Sequence, residues 1–397
     1  MNDLASAAVP GRPLCDVPAA RAALRRAAPA LAAFAAIRLL GLVVLGAWST
    51  VNGKDWHTLL AGRWDALWYT RVAEQGYGYT VQLPHGAVHS DLAFFPLLPS
   101  LERGLPAVVP LSPADAGLVV SWLASLAAAC ALYATGERLH GHRAGVALAA
   151  LWAAVPVGIV QSMAYSESLF TALAAWALYA VLTGRWVWAG VLASLAGLTR
   201  PVGAAVVAAV WVTAAVTLGR QRTGGVRGRA ALRAQPGLLP GVLLAPLGWC
   251  GYFLWVAARQ GSLTGYLDVQ AGWGNGFDGG IAFGAFLGEL LSGPSFAAGL
   301  GLLLGVGLLI WLYLRGVRQG QPLPLAVYGG TVLLLALTAK GYFGSKPRLM
   351  LPAYPLLLPL AAGLARRNPV RSWLVVGLVA AGSAAYGAFW LNGSGPP

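Results

Sequence analysis

The sequence predicts a polytopic, all-α membrane protein. Three observations lead there: 58% of the 397 residues are hydrophobic and only 10% are charged, the apolar residues fall into long runs, and the charges are unevenly shared between the segments joining them. Soluble chains carry about a quarter of their residues as Asp, Glu, Lys or Arg, so a mean hydropathy of +0.67 describes a surface that faces hydrocarbon. This composition excludes a cytosolic enzyme, a disordered chain and a small disulfide scaffold. Cys15, Cys130 and Cys250 lie far apart, with no paired spacing, so neither a disulfide nor a zinc site is expected.

The first run, Pro29 to Trp48, is long enough to cross a bilayer at about 1.5 Å per residue. It follows Arg12, Arg21, Arg25 and Arg26, and no small-residue cleavage site comes after it, so it reads as an uncleaved first span behind a cytoplasmic tail of residues 1–28. Further runs lie at 114–135, 144–162, 167–183, 187–199, 201–218, 238–257, 295–314, 324–340, 349–365 and 372–391, giving about eleven transmembrane helices in one domain, 29–397. The fifth and sixth are the least secure, because only Thr199, Arg200 and Pro201 separate them.

Placing the amino terminus inside puts 17 of the 27 basic residues on inward segments and nine on outward ones, with Arg38 inside the first span. The stretch from Arg220 to Arg233 holds five arginines and no acid, while ten of the 13 acids fall outside. Retention of arginine on cytoplasmic loops accounts for the formal charge of +14. No nucleic-acid partner is needed to explain it.

Two outward segments, 49–113 and 259–294, are long, and long loops tend to be functional. The first gathers acids and aromatic rings, and its short apolar piece Leu92 to Leu105 suits an amphipathic or re-entrant helix at the outer interface. No internal repeat and no inverted pair of broken helices is evident. The densest signal is Arg63-Trp64-Asp65-Ala66-Leu67-Trp68-Tyr69, continuing to Tyr77. Asp65 has two readings: a helix N-cap, or a carboxylate partly desolvated among Trp64, Trp68 and Tyr69 and suited to accept a proton. Membrane-interface belts alone would also place rings there.

RWDALWY with VAEQGYGY resembles the first outward loop of the PIG-V-like mannosyltransferases of the GT-C superfamily. The resemblance continues through LAFFPLLP at Leu92 to Pro99, AYSESLF at Ala164 to Phe170, LTRPVG at Leu198 to Gly203 and KPRLMLPAYPLLLPLA at Lys346 to Ala361. It implies a GT-C-like fold and a membrane glycosyltransferase that takes a hexose, usually mannose, from a polyprenyl phosphate carrier. The acceptor would be an extracytoplasmic glycan, glycolipid or protein, and the setting a bacterial plasma membrane. It also implies that the catalytic carboxylate lies in the first outward loop, here Asp65. Displacing a phosphate from an anomeric carbon needs a base for the acceptor hydroxyl and cations for the leaving phosphate, and direct displacement inverts that carbon.

Arg200, Lys346 and Arg348 are the candidate phosphate ligands, although outward cations also snorkel to lipid headgroups; Lys340 is a weaker candidate. Glu167 and Asp91 are candidates for sugar or acceptor binding, with helix capping as the competing reading for each. His85, His89 and Asp91 have a ligand-like spacing, but Pro84 and Gly86 make a loop of that segment, so no metal and no cofactor is expected. His57 reads as a solvated or interfacial ring. Residues 272–280 read as a mobile outward loop, a lid carrying Trp273 as a sugar-stacking ring. The competing class is a transporter or flippase of a lipid-linked sugar. Transport calls for polar or broken-helix features at mid-membrane depth, where Arg38 is the main exception to the clustering of ionisable residues at the outer mouth.

Overall fold

A computed structural model of the chain describes residues 17–223, 235–393 and 395. Arg12, Cys15 and the basic residues Arg227, Arg229 and Arg233 lie outside the described residues. Helix α1 (Val17–Val51) contains the first apolar run and starts before it, so the expected tail is already helical from residue 17. Three short helices follow: α2 (Trp56–Ala61), α3 (Asp65–Gln75) and α4 (Leu97–Gly104). Between α3 and α4, the antiparallel strands β1 (Thr80–Gln82) and β2 (Val88–Ser90) pair Val81 with His89.

Helix α5 (Pro113–His140) has the sequence signals of a well-bounded helix. Ser112 accepts from the Asp115 amide at its start, proline occupies the first turn, and Gly141 ends it in a left-handed conformation with φ +86°. Helices α6 (His142–Ala153), α7 (Ser166–Leu182), α8 (Trp186–Gly197) and α9 (Gly203–Thr223) follow. The second half comprises α10 (Leu238–Leu244), α11 (Leu247–Gln260), α12 (Gly265–Gly272), α13 (Ile281–Ser292), α14 (Phe296–Arg318), α15 (Leu323–Thr338), α16 (Lys346–Leu349), α17 (Leu358–Ala365) and α18 (Pro369–Leu391). A second strand pair joins β3 (Gly276–Phe277) to β4 (Ala339–Lys340), linking the segment 259–294 to the end of α15.

Among the described residues six helical segments are long and apolar enough to cross a membrane: α1, α5, α9, α10 with α11, α14 and α18. A pair at Phe343–Leu349 and Tyr354–Ala365, bent by 72°, gives up to seven. The chain is a multi-pass membrane protein, but the expected count of eleven spans does not follow from its helix lengths. Helix α7 has 17 residues, or about 25 Å at 1.5 Å per residue, short of the roughly 30 Å hydrocarbon core. Its apolar side chains are mostly buried against other helices. The run at 144–162 likewise divides into α6 and a 3-10 turn at Gly158–Ser162. Hydropathy registers burial in protein and burial in lipid alike, and the two cannot be separated by counting.

Helix α5 packs against α1, α4, α6 and α7, and α1 against α18. Small residues permit the closest approaches. A Cβ on Gly145 of α6 would stand 2.6 Å from the Tyr133 carbonyl oxygen of α5, and one on Gly190 of α8 would stand 2.3 Å from the Gly241 carbonyl oxygen of α10. Arg38 of α1 is buried and donates to the Gly158 carbonyl in the break after α6.

The amphipathic piece expected near residue 100 is α4, which buries Leu98, Pro99 and Glu102 and exposes Ser100, Leu101 and Arg103. Glu102 is fully buried against Gly117 of α5, and neither carboxyl oxygen has a hydrogen-bond partner. Burial pushes its carboxyl up to about 9. The folded chain therefore keeps a proton that the unfolded chain releases near pH ~4.3, so this contribution to stability is full below that pH and is lost as pH rises towards 9. Thermal unfolding of Glu102→Gln is expected to be less pH-dependent than that of the wild type, with the variant the more stable at about pH 8.5. Equal pH slopes in the two proteins would contradict this.

Candidate active site

The site is assembled at helix ends. Asp65 lies in the first turn of α3, Glu167 in the first turn of α7, Arg200 in the turn between α8 and α9, and Arg348 on α16. Trp64, just before Asp65, has φ +51° and ψ −124° and is the one non-glycine residue with positive φ among the described residues. Such a backbone costs an L-residue about 1–3 kcal/mol and concentrates where function over-determines geometry. Trp64 is held by the Arg63 guanidinium, 4.1 Å over its ring.

Neither carboxylate acts as a cap. The N-cap positions of α3 and α7 are Trp64 and Tyr165, and neither helix start carries a side-chain capping bond. Instead Asp65 Oδ2 lies 3.0 Å from Arg348 Nη1, while Glu167 Oε1 lies 3.2 Å from Arg348 Nε and 2.5 Å from Arg200 Nη1. These are ion pairs whose N–H vectors do not align as hydrogen bonds: Arg348 Nε and Nη1 and both Glu167 oxygens lack a hydrogen-bonded partner. The side chain of Glu167 is 1% exposed and that of Arg348 10%, whereas Asp65 is 21% exposed. Arg348 thus bridges an interior carboxylate and one that opens towards the surface.

The array extends through Ser166, whose Oγ accepts from Arg200 Nη1 at 3.1 Å and lies 2.8 Å from the Tyr69 hydroxyl. Burial raises the Tyr69 phenol above its ordinary range; the Arg200 charge opposes the rise, and the Asp65 and Glu167 carboxylates add to it. Tyr69 is a neutral phenol at any working pH. The Arg348 guanidinium lies 5.1 Å over the ring of Tyr165, whose hydroxyl burial raises likewise. Sequence reasoning singles out neither Tyr165 nor Ser166 as a site residue; their one signal is that they precede Glu167 in AYSESLF.

The remaining sequence candidates have other placements. Asp91 is fully buried and accepts from the amides of Gly78 at 2.9 Å and Tyr79 at 2.8 Å, fastening the turn after α3, while Ser90 caps the 3-10 turn that follows. Trp68 stacks on Phe94 at 5.5 Å and meets the edge of Trp273 at 5.0 Å. Trp273 donates to the Ser90 carbonyl at 3.0 Å and stacks on His89 at 3.9 Å. The segment read as a mobile lid is therefore fastened, by Trp273 and by the pairing of β3 with β4. His57 Nε2 pairs with Asp115 Oδ1 at 2.7 Å, tying α2 to α5. The side chain of His85 lies outside the described residues, and among those described no group of three His, Cys, Asp or Glu side chains converges as metal ligands.

Lys346 stands apart from the array. Its ammonium donates to the carbonyls of Ala336 and, at 2.8 Å, Ala339, closing the last turn of α15, and it lies 4.7 Å from the ring centre of Phe283 and 5.3 Å from that of Phe343. Lys346→Met is expected to cost about 1–3 kcal/mol of stability through the orphaned carbonyls. Affinity for a phosphate donor should change less than about twofold, under ~0.4 kcal/mol. A large loss of donor affinity in a protein of unchanged stability would return Lys346 to the site.

No family model matches the chain, and no curated protein matches it in sequence. Its fold is similar to that of ArnT from Cupriavidus metallidurans. The crystal structure of ArnT bound to undecaprenyl phosphate matches with a TM-score of 0.53 at 16% identity, over 87% of this chain and 61% of that one. The apo-state structure matches with a TM-score of 0.48 at 16% identity, over 78% and 56%. This chain spans less than two thirds of ArnT's length.

Proposed function

We propose that the protein is a GT-C glycosyltransferase that moves a hexose, mannose by sequence resemblance to the PIG-V-like family, from a polyprenyl phosphate carrier to an extracytoplasmic glycan, glycolipid or protein. The observation that carries this reading is the Asp65–Arg348–Glu167–Arg200 array. It provides a surface-opening carboxylate for a hydroxyl proton beside two guanidinium groups for a phosphate. The undecaprenyl phosphate bound to the ArnT fold supports a carrier of that class.

In the proposed step the acceptor oxygen bonds to the anomeric carbon, the bond from that carbon to the phosphate oxygen breaks, and the acceptor proton passes to Asp65. The carrier leaves as a phosphate monoester with one more negative charge, and the anomeric carbon inverts. Two carboxylates and two guanidiniums leave the resting array formally neutral. When Asp65 takes the proton, Arg348 loses one anionic partner as the phosphate gains charge, so its attraction turns towards the leaving group when it is needed. Glu167, still paired with Arg200, keeps both guanidiniums in place.

Trp64 precedes Asp65 and Tyr69 reaches the array through Ser166, while the covered faces of Trp68 and Trp273 make them supports of the acceptor wall in this reading. The flippase alternative drew on Arg38; its bond to the Gly158 carbonyl gives that residue a fold role. Incubating the protein in nanodiscs with radiolabelled polyprenyl phosphate mannose and a membrane-derived acceptor extract tests the class. Label is expected in a new product, and the corresponding glucose donor is expected to be a poor substitute. Donor that binds and is never consumed would favour the flippase reading.

A further inference from the structure

The end of the helix bundle remote from Asp65 has a cavity of its own. It has a volume of about 230 Å³ and lies between the first half of α1 (Pro29), the first half of α6 (Arg143, Ala147), the end of α17 (Ala365) and the start of α18 (Ser372, Trp373). The opposite ends of α6 and α18 are the ones near the array, since α6 runs on through Gly158–Ser162 to Glu167 and Leu391 of α18 accepts from Arg63, so the cavity and the array lie towards opposite membrane faces.

Charge gathers around it with one sign. Arg143 lines the cavity and donates to the Arg367 carbonyl at 2.7 Å, which ties α6 to the turn after α17. Arg366 and Arg367 directly follow Ala365, Arg371 directly precedes Ser372, and Arg26 lies one helical turn before Pro29; all are exposed. Among the described residues these segments carry no carboxylate; Glu137, near the end of α5, is engaged by the Tyr133 hydroxyl at 2.6 Å and lies 4.0 Å from His142. Below the rim the lining is apolar, with Val146, Leu364 and Val376. Beside it α18 presents an outward strip of Val370, Trp373, Leu374 and Leu378, all exposed. Ordinary retention of arginine on one side of a membrane explains the sign of this charge. It does not explain a cavity lined by Arg143, by the apolar Val146, Leu364 and Val376 and by the Trp373 ring, with four further arginines on the adjoining turns.

We infer that this cavity is a binding site for an anionic phospholipid. The headgroup phosphate would sit among Arg143, Arg366 and Arg367, the glycerol in the cavity, and an acyl chain along the exposed strip of α18. The volume suits that division, being below the roughly 300–1,000 Å³ of pockets that enclose a whole drug-sized ligand, so the chains stay in the bilayer. Basic pockets between helices hold anionic headgroups in this way. The inference stands apart from the proposed reaction.

The test uses the full chain in detergent, titrated with phosphatidylglycerol or phosphatidylcholine and read by native mass spectrometry and by thermal unfolding. The wild type is expected to retain one phosphatidylglycerol in preference to phosphatidylcholine and to unfold at higher temperature with it. Arg143→Gln and Arg366→Gln should each weaken retention about fivefold, as for the loss of one surface arginine–lipid attraction. Ala147→Phe, which fills the cavity and keeps every charge, should abolish the single retained lipid; Ala365→Phe is the second such variant should the first fail to fold. Equal retention of the two lipids, or undiminished phosphatidylglycerol binding in a folded cavity-filled variant, would overturn the site and leave only diffuse attraction to an anionic surface.

Discussion

Asp65→Asn is expected to lower turnover by about 10²–10⁴-fold, the usual contribution of a positioned general base, without weakening donor binding. Asn keeps the shape of the side chain and cannot take the acceptor proton. Arg348 retains its contact with Glu167 and loses an internal anion that competes with the donor phosphate, so the donor KM should hold or fall while kcat collapses. The check is a Michaelis series on both proteins with donor affinity measured separately. Equal losses of binding and turnover would make Asp65 a structural partner of Arg348 and nothing more.

Arg348→Ala is expected to act on both stability and function. It removes the partner of a carboxylate that is 1% exposed, and breaking a buried ion pair from one side costs about 3–5 kcal/mol. The remaining protein should also bind the donor phosphate weakly, because Arg200 alone stays beside Glu167. Pairing the change with Glu167→Gln separates the two effects. The double variant should recover much of the lost stability, since no unpaired carboxylate is left inside, and should recover none of the donor affinity. Thermal unfolding and donor titration of the two variants supply the comparison, and recovery of donor affinity would remove Arg348 from the phosphate site.

Much of this was legible in the sequence, for physical reasons that differ by residue. Asp65, Glu167, Arg200 and Arg348 stand out as charges at the edges of apolar runs, where an ionisable group is costly unless it is paired or useful, and the structure brings all four together. Lys346 shares that signal and goes elsewhere. Residues two apart on a helix do not face the same way, so on the four-residue α16 (Lys346–Leu349) one cation turns to the array and the other to the carbonyls ending α15. Nothing in Lys-Pro-Arg states which does which.

Contacts between distant segments were the illegible part. The Asp91 carboxylate finds the amides of Gly78 and Tyr79, and the Trp273 ring finds His89. A loop rich in glycine and an acid before a helix give no local hint of either. The span count was illegible for another reason: the apolar side chains of α7 are mostly buried against other helices, and burial in protein reads like burial in lipid.

The most direct measurement is a single turnover with a stoichiometric polyprenyl phosphate hexose labelled in both halves, followed in wild type and in Asp65→Asn. The proposed chemistry predicts that in the wild type the sugar appears in a new glycoside of inverted anomeric configuration, while the phosphate is recovered on the free carrier in equal amount. In the variant the donor should remain bound and whole. Intact donor recovered from the wild type on the opposite leaflet, or a product with retained configuration, would contradict it.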